Sequence, residues 1–422
     1  MSEPAQSRRR IHPPWIDERA TRAVLDALSE GGVEARFVGG AVRDALLGLS
    51  SDDIDIAVAA PPERVIELLD DRGVKVVPTG LAHGTVTAVV PPRHFEITTL
   101  RRDVETYGRR ARVAFDADWA ADAERRDFTI NAIFLAADGA VHDPVGGLAD
   151  LEAGRIRFVG DPATRIAEDV LRLLRYYRFE ARFGSGAGDP QARAACRAAA
   201  ALLPTLSAER VAQELLKLLA AADPARALQM MAEDGVLAVA LPEARRLDRL
   251  RRIIAIEPRP DPLRRLGALI DVDEAGALAL AERLRLSNAR RDRLRGLARP
   301  WPPELEPGER APAGDPAAQR RALYRLGADR SRDVVLLLAA EEQIGTEQLA
   351  GFLDLAADWA PPSFPLSGHD VTALGIPPGP RVGALLDAVE RWWEAGDFAA
   401  DRARCLTRLH ELAATPADGL QT

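Results

Sequence analysis

The stretch FVGGAVRDALLGLSSDDIDIAV, Phe37 to Val58, runs from an apolar segment through a glycine pair and a short helix into an acidic strand. The apolar run ends at Val38, and Gly39-Gly40 follows. Val42, Leu46 and Leu47 then line one side of a helix-like segment closed by Gly48, before Asp52-Asp53-Ile54-Asp55. Asp53 and Asp55 flank a single residue, so on a strand both carboxylates leave the same face. Two like charges that close repel, and one stays protonated unless something positive sits between them. Mg²⁺ meets that need, because it prefers carboxylate oxygens and keeps positions open for phosphate. Gly39 and Gly40 let bare backbone amides approach an anion at the start of the next helix, where the dipole also favours negative charge. Arg43 adds a guanidinium fork suited to phosphate. A phosphate cradle and a metal-binding carboxylate pair, one short helix apart, point to nucleotidyl transfer.

A chain of 422 residues is long enough for two to four domains. Its two cysteines, Cys196 and Cys405, stand in unrelated contexts and suggest neither a disulfide framework nor a zinc site. The start, MSEPAQSRRR, is basic with no apolar run behind it, so no signal peptide is read there. No apolar segment reaches membrane length. A soluble protein of the cytoplasm is expected. The net charge of -8 argues against a generally adhesive nucleic-acid binder, though not against a local basic surface. Nearly all basic residues are arginine, with Lys75 and Lys217 the exceptions, as a GC-rich genome produces.

Up to about Gly147 the apolar runs are short and β-branched; beyond Asp161 they become long, Ala/Leu/Arg-rich and helical. An α+β head with a mixed β-sheet is therefore expected, followed by an all-α neck, body and tail. The expected divisions are a catalytic head at 1–147, a neck at 148–235, a body at 236–330 and a tail at 331–422. Proline-rich breaks at 299–303 and 361–362 mark joints in the helical part.

Within the head, Ile16–Leu28 reads as an amphipathic helix burying Val24, Leu25 and Leu28. Pro61-Pro62 opens another helix ending near Gly73, and Val74–Val77 returns as a strand. Gly84–Val90 alternates Thr with Val and pairs as a hairpin with Phe95–Thr99, putting Glu96 and Thr98 on one face. Arg101–Arg112 is polar and aperiodic and reads as a mobile loop. Asp138-Gly139 makes a further hairpin turn.

In Arg125-Arg126-Asp127-Phe128-Thr129-Ile130-Asn131-Ala132, Arg126 can pair with phosphate. Asp127 and Asn131, four apart, share one side of a short helix and can hold ribose hydroxyls. A helix from near Pro162 carries Glu168-Asp169-Val170-Leu171-Arg172, then Arg175 and Arg178. Asp169 and Arg172 are surface neighbours, which by default is a helix-stabilising ion pair. As a recognition edge, an Asp acceptor beside an Arg donor is complementary to cytosine and adenine and mismatched to uracil and guanine. Steps of three drift around a helix, so Arg178 is expected nearly opposite Asp169.

Taken together, the GG-x-VRD…DxDIA pattern resembles the class II tRNA nucleotidyltransferase and poly(A) polymerase family. RRDFTINA at 125–132 matches the family's motif residue for residue, and Glu168–Arg172 resembles its EDxxR motif. The resemblance implies a polymerase-β-like head with Asp53 and Asp55 as metal-binding catalytic acids. Glu96 would be a third carboxylate, acting as metal ligand or as base. Gly40 and Arg43 would hold the triphosphate, and Arg126, Asp127 and Asn131 the phosphate and ribose. Asp169 and Arg172 would select the base, with Arg175 and Arg178 matching further family arginines. CTP and ATP would be the nucleotides, tRNA the acceptor and Mg²⁺ the cofactor, with CCA synthesis as the reaction. Tyr107-Gly108-Arg109 departs from the Asp-Gly-Arg common in the family's flexible loop. Two stretches, Arg245–Arg299 and Leu374–Gly383, could meet tRNA phosphates.

Close rivals are a CC-adding or A-adding enzyme or a poly(A) polymerase, although His83–Thr87 looks like the tRNA enzymes. A metal phosphohydrolase is a more distant rival through His369-Asp370, and a catalytically inert RNA-binding protein is another.

Overall fold

A computed structural model describes residues 9–81, 84–107, 110–115, 118–298 and 315–414, with backbone alone for 102–107 and 110–115. His83, Gly108, Arg109 and the joint expected at 299–303 lie outside the described residues. By its internal contacts the chain divides into two units. One is Met1–Leu247 with Pro260–Pro262 and Arg283–Leu286; the other is Asp248–Arg259, Leu263–Glu282 and Ser287–Thr422.

Among the described residues the first unit contains nine strands: β1 (Ala35–Val38), β2 (Ile54–Val58), β3 (Lys75–Gly80), β4 (Thr85–Val90), β5 (Arg93–Thr99), β6 (Arg101–Tyr107), β7 (Arg110–Phe115), β8 (Phe134–Ala136) and β9 (Val141–His142). Seven form one mixed sheet in the order β3-β4-β5-β2-β1-β8-β9. Only β2 and β5 run parallel; the connection between them holds the helix Pro62–Asp70 and the β3–β4 hairpin.

Side-chain parity gives this sheet two chemically different faces. Register aligns Phe37 with Ile56, Ile54 with Phe95, and Ile56 with Ile97, and all five are 0–1% exposed. This is the core face. Trp15 stands edge-on to Phe37 at 4.7 Å, and the helix Arg19–Glu30 buries Val24, Leu25 and Leu28 as its apolar spacing predicts. The opposite face carries Val38, Asp55, Glu96 and Thr98. A slip of one residue in β2 would turn Ile54 and Ile56 outward and Asp55 into the core, so burial itself enforces the position of the acid.

Two stretches that bear on the site differ from the sequence reading here, and the helix expected from Ile16 begins instead at Arg19, after a 3₁₀ turn at Pro14–Ile16. Arg101–Arg112, expected to be a mobile loop, has the backbone of an antiparallel hairpin, β6 with β7. Its strands form a sheet of their own, and the sequence Arg101–Arg112 is too polar and aperiodic to carry the apolar alternation from which a strand is read. The helix expected to run from Pro162 past Arg178 is two helices, Pro162–Glu168 and Leu171–Phe183, broken at Asp169 (φ -151°, ψ 106°). The Asp169 carboxylate accepts the Leu171 N–H at 3.1 Å, a local bond that competes with helix continuation.

Beyond residue 161 every named element is helical. An aromatic cluster fastens the helix Leu171–Phe183 to the end of the head: Phe128 lies 4.6 Å from Phe158 and 5.1 Å from Phe179. In the second unit, one core gathers Ile253, Leu336, Phe352 and their neighbours, and another gathers Val371, Leu385, Trp393 and Leu409. Among the described residues no helix is long and apolar enough to cross a membrane.

The turn from β1 into the helix Gly40–Leu46 depends on Gly39, at φ 78° and ψ -134°. Residues with a side chain scarcely enter this region, at a cost of about 1–3 kcal/mol. Gly39→Ala is expected to lower the unfolding free energy from a denaturant titration by that amount, and an unchanged free energy would show that the turn relaxes.

Candidate active site

The acid face and the first turn of the helix Gly40–Leu46 open onto a cleft of about 1020 Å³. Asp53, just before β2, and Asp55, within it, both line the cleft. Asp55 sits level with Glu96 of β5 and Val38 of β1. Burial, then the nearby Glu96 and Asp53 charges, push the Asp55 carboxyl up to about 6, while Arg126 pulls the other way. A buried carboxyl among like charges is the condition that a bound cation relieves.

The facing wall is cationic. Arg43, Arg126, Arg175, Arg178, Arg182 and Lys217 all line the cleft, with Phe179 among them. Arg43 lies over Phe183 at 4.2 Å, and Arg178 over Phe179 at 4.4 Å. These ring faces hold guanidinium groups by their quadrupole and leave the guanidinium edges free to donate. Burial lowers Arg178 to about 10, partly opposed by Glu214, and neighbouring Arg175 and Arg43 lower it further. Arg178 and Glu214 approach to 3.0 Å as an ion pair without hydrogen-bond alignment. Cations crowded in this way favour a polyanion.

A relay of hydrogen bonds fixes these groups. Arg182 Nη2 donates to Asp44 Oδ2 at 3.1 Å, and Arg43 Nε donates to Asp44 Oδ1 at 2.9 Å. Arg43 Nη1 reaches Asn131 Oδ1 at 2.6 Å, and Asn131 Nδ2 donates to Asp127 Oδ1 at 3.2 Å. Arg175 Nε completes the series on Asp127 Oδ2 at 2.7 Å. Burial raises the Asp127 pKa, yet Arg175 and Asn131 outweigh it and hold the carboxylate below its usual range. Asp127 and Asn131 thus meet through a 3₁₀ turn, Thr129–Asn131, in place of the short helix expected there. Arg126 is anchored separately, donating through Nη2 to the fully buried Asp122 at 2.9 Å.

The structure brings Gly40, Arg43, Asp53, Asp55, Arg126, Asp127, Asn131, Arg175 and Arg178 to one cleft. Glu96 lines a smaller adjoining cavity, which shares Asp55 and Arg126 with the first. Asp169 and Arg172 are not among the lining residues. Asp169 accepts from Arg210 at 2.6 Å, while Arg172 donates to the Arg165 carbonyl at 3.0 Å and pairs with Glu168. Arg178 lines the cleft from the helix Leu171–Phe183, while Asp169 stands at the break before that helix. Residues the motifs did not single out are Asp44, Asp122, Phe179, Arg182 and Lys217. The spacing of Asp122 before Arg125 and Arg126, at i+3 and i+4, was a readable signal. The contact of Asp44 with Arg182 was not, since 138 residues separate them.

His369-Asp370 has an ordinary role. Asp370 caps its helix through the Ser367 N–H at 2.8 Å and pairs with Arg402, which holds its carboxyl at about 2. Among the described residues no three acidic, His or Cys side chains converge as a metal site, there or elsewhere.

Residues 35–157 match the family model described as Poly A polymerase head domain, and 189–247 match the one described as Probable RNA and SrmB- binding site of polymerase A. The Danio rerio protein named CCA tRNA nucleotidyltransferase 1, mitochondrial, is 34% identical over 395 residues, covering 90% of this chain and 87% of the relative. The chain belongs to the class II tRNA nucleotidyltransferase and poly(A) polymerase family. It is accordingly a nucleotidyltransferase. A Lacticaseibacillus paracasei member named CCA-adding enzyme is 39% identical over 226 residues, 53% of this chain and 56% of its own. Among solved members, the Bacillus stearothermophilus CCA-adding enzyme in complex with CTP superposes with a TM-score of 0.76 at 30% identity. That match covers 96% of this chain and 98% of the other. The family's polymerase-like head accounts for the mixed sheet and its acid face.

Asp122→Ala removes the buried counter-charge of two arginines, Arg125 and Arg126. Uncompensated burial of that kind costs about 3–5 kcal/mol. A denaturant titration of the variant should show the loss, and wild-type stability would mean that water or another acid replaces Asp122.

Proposed function

We propose that this protein builds the CCA end of tRNA, adding CMP and AMP from CTP and ATP without a nucleic-acid template. The carrying observation is one cleft in which Asp53 and Asp55 face the cationic wall of Arg43, Arg175, Arg178 and Arg182. Similarity to CCA-adding relatives along most of the chain supports the same reading.

The donor set fits a divalent cation. Asp53 and Asp55 offer hard oxygens, Asp55 is destabilised as an anion, and two carboxylates leave positions for phosphate and water. We take the cation to be Mg²⁺, which when bound would lower the pKa of the attacking hydroxyl and stabilise the leaving oxygens. The primer 3′-oxygen forms a bond to the α-phosphorus as the bond to the bridging oxygen breaks and pyrophosphate leaves. Glu96, level with Asp55, is assigned to take the hydroxyl proton. Gly40 and Arg43 hold the triphosphate, while Arg126, Asp127 and Asn131 orient phosphate and ribose. Arg175 and Arg178 line the place of the base.

Asp169 and Arg172 remain assigned to base selection. In this reading the nucleotide draws them from Arg210 and Glu168, exchanging one set of charge-assisted bonds for another. The helical stretches 236–330 and 331–422 are assigned to tRNA. Several arginines once expected to track its phosphates instead brace the fold: Arg249 bonds three backbone carbonyls and Glu341, and Arg264 and Arg293 share Asp333. Two buried free thiols, Cys196 and Cys405, suit a reducing compartment, and we place the enzyme in the cytoplasm.

With tRNA lacking its last three nucleotides, CTP alone should extend the product by CC, and CTP with ATP should complete CCA. Addition of A alone, or an open-ended A tail, would overturn the reading. Asp55→Asn should abolish incorporation, and Glu96→Gln should lower kcat by about 10²–10⁴ with CTP binding retained. Equal loss of binding in the Glu96 variant would move that residue into the metal shell.

A further inference from the structure

The smaller cavity beside the cleft has no assigned occupant. Its volume is about 220 Å³, and Thr85, Glu96, Thr98, Arg101 and Arg125 line it together with Asp55. It lies on the same acid face, so Asp55 stands between two clefts of unequal size and character.

Sheet register decides what the cavity presents. Glu96 and Thr98 are two residues apart on β5 and share a face, and Thr85 of β4 aligns with Thr98. Their hydroxyl oxygens are 3.1 Å apart. Among the described residues, each threonine hydroxyl bonds only the other. That single bond uses one hydrogen and one lone pair of the couple. One donor and several acceptor positions are left over, and they suit a hydroxyl, which both gives and takes a hydrogen bond. Along a strand, residues i and i+2 are about 7 Å apart. A vicinal diol with a hydrogen bond of about 2.8 Å at each end spans that distance. Arg125, held by Asp122 at 2.7 Å, stands ready to meet an adjoining phosphate.

We infer that this cavity receives the 3′-terminal ribose of the RNA primer, with the 3′-hydroxyl toward Asp55 and Glu96 and the 2′-hydroxyl on the Thr85–Thr98 pair. In-line displacement places the attacking oxygen and the leaving pyrophosphate on opposite sides of the α-phosphorus. The cationic cleft takes the triphosphate, and the small cavity, which shares Asp55 and Arg126 with it, takes the nucleophile. Thr85 and Thr98 thereby read the sugar, and the enzyme selects RNA over DNA at the end it extends. The inference rests on the nucleotidyl-transfer reading above and adds a specificity to it.

The test compares two forms of a tRNA lacking CCA, one ending in an ordinary ribonucleotide and one in its 2′-deoxy counterpart, as primers for CMP addition. The wild-type protein should prefer the ribo-terminated primer by about tenfold, the worth of one well-placed hydrogen bond. Thr98→Val and, separately, Thr85→Val should bring that ratio close to one, while Thr98→Ser keeps it. CTP binding by the variants at wild-type strength shows that they fold. A wild-type ratio near one, or a ratio unchanged in both valine variants, overturns the inference and leaves the nucleotidyl-transfer reading standing. No CMP addition by the wild type to either primer overturns the reading itself.

Discussion

Asp55 and Glu96 are level with each other on two adjacent parallel strands, and burial together with the Glu96 charge makes the Asp55 carboxylate costly to ionise. Like charges so placed persist only where the surrounding fold over-determines them. Here the other face of the same strands does so. Ile54 and Ile56 on β2, and Phe95 and Ile97 on β5, are buried almost completely, and a slip of one residue in either strand would turn its pair out of the core. Hydrophobic burial on one side of the sheet therefore maintains electrostatic tension on the other, and that tension gives a cation its reason to bind.

The cationic wall shows a related logic. Its arginines come from the helix Gly40–Leu46, from the segment after β7 and from the helix Leu171–Phe183, which are distant in sequence. Each is tied to a buried partner: Arg43 to Asp44 and Asn131, Arg126 to Asp122, and Arg175 to Asp127. Phe179 and Phe183 supply ring faces that separate the guanidinium groups and absorb some of their charge.

Much of this was legible in the chain itself. The glycine pair, the acid pair and the 125–132 run located most of the cleft, because their chemistry depends on neighbours a few residues away. Parity placed Asp53 with Asp55, and Glu96 with Thr98. What stayed hidden depends on distance or on broken periodicity. Asp44 meets Arg182 only after the chain folds. Arg101–Arg112 is polar and without alternation, so nothing in its composition announced the β6–β7 strands. Asp169 interrupts a helix through a bond to the chain just beyond it, and a pattern of apolar residues carries no trace of such a bond. Asp169 therefore stands at a junction between two helices where the apolar spacing predicts a single one.

The relay from Arg182 through Asp44, Arg43, Asn131 and Asp127 to Arg175 has a thermodynamic corollary. Long side chains forfeit roughly 0.5–1.5 kcal/mol each when an arriving partner immobilises them. Here that loss of freedom is incurred during folding. An incoming anion meets donors already at rest, so calorimetry of its capture would register little entropic resistance from these side chains.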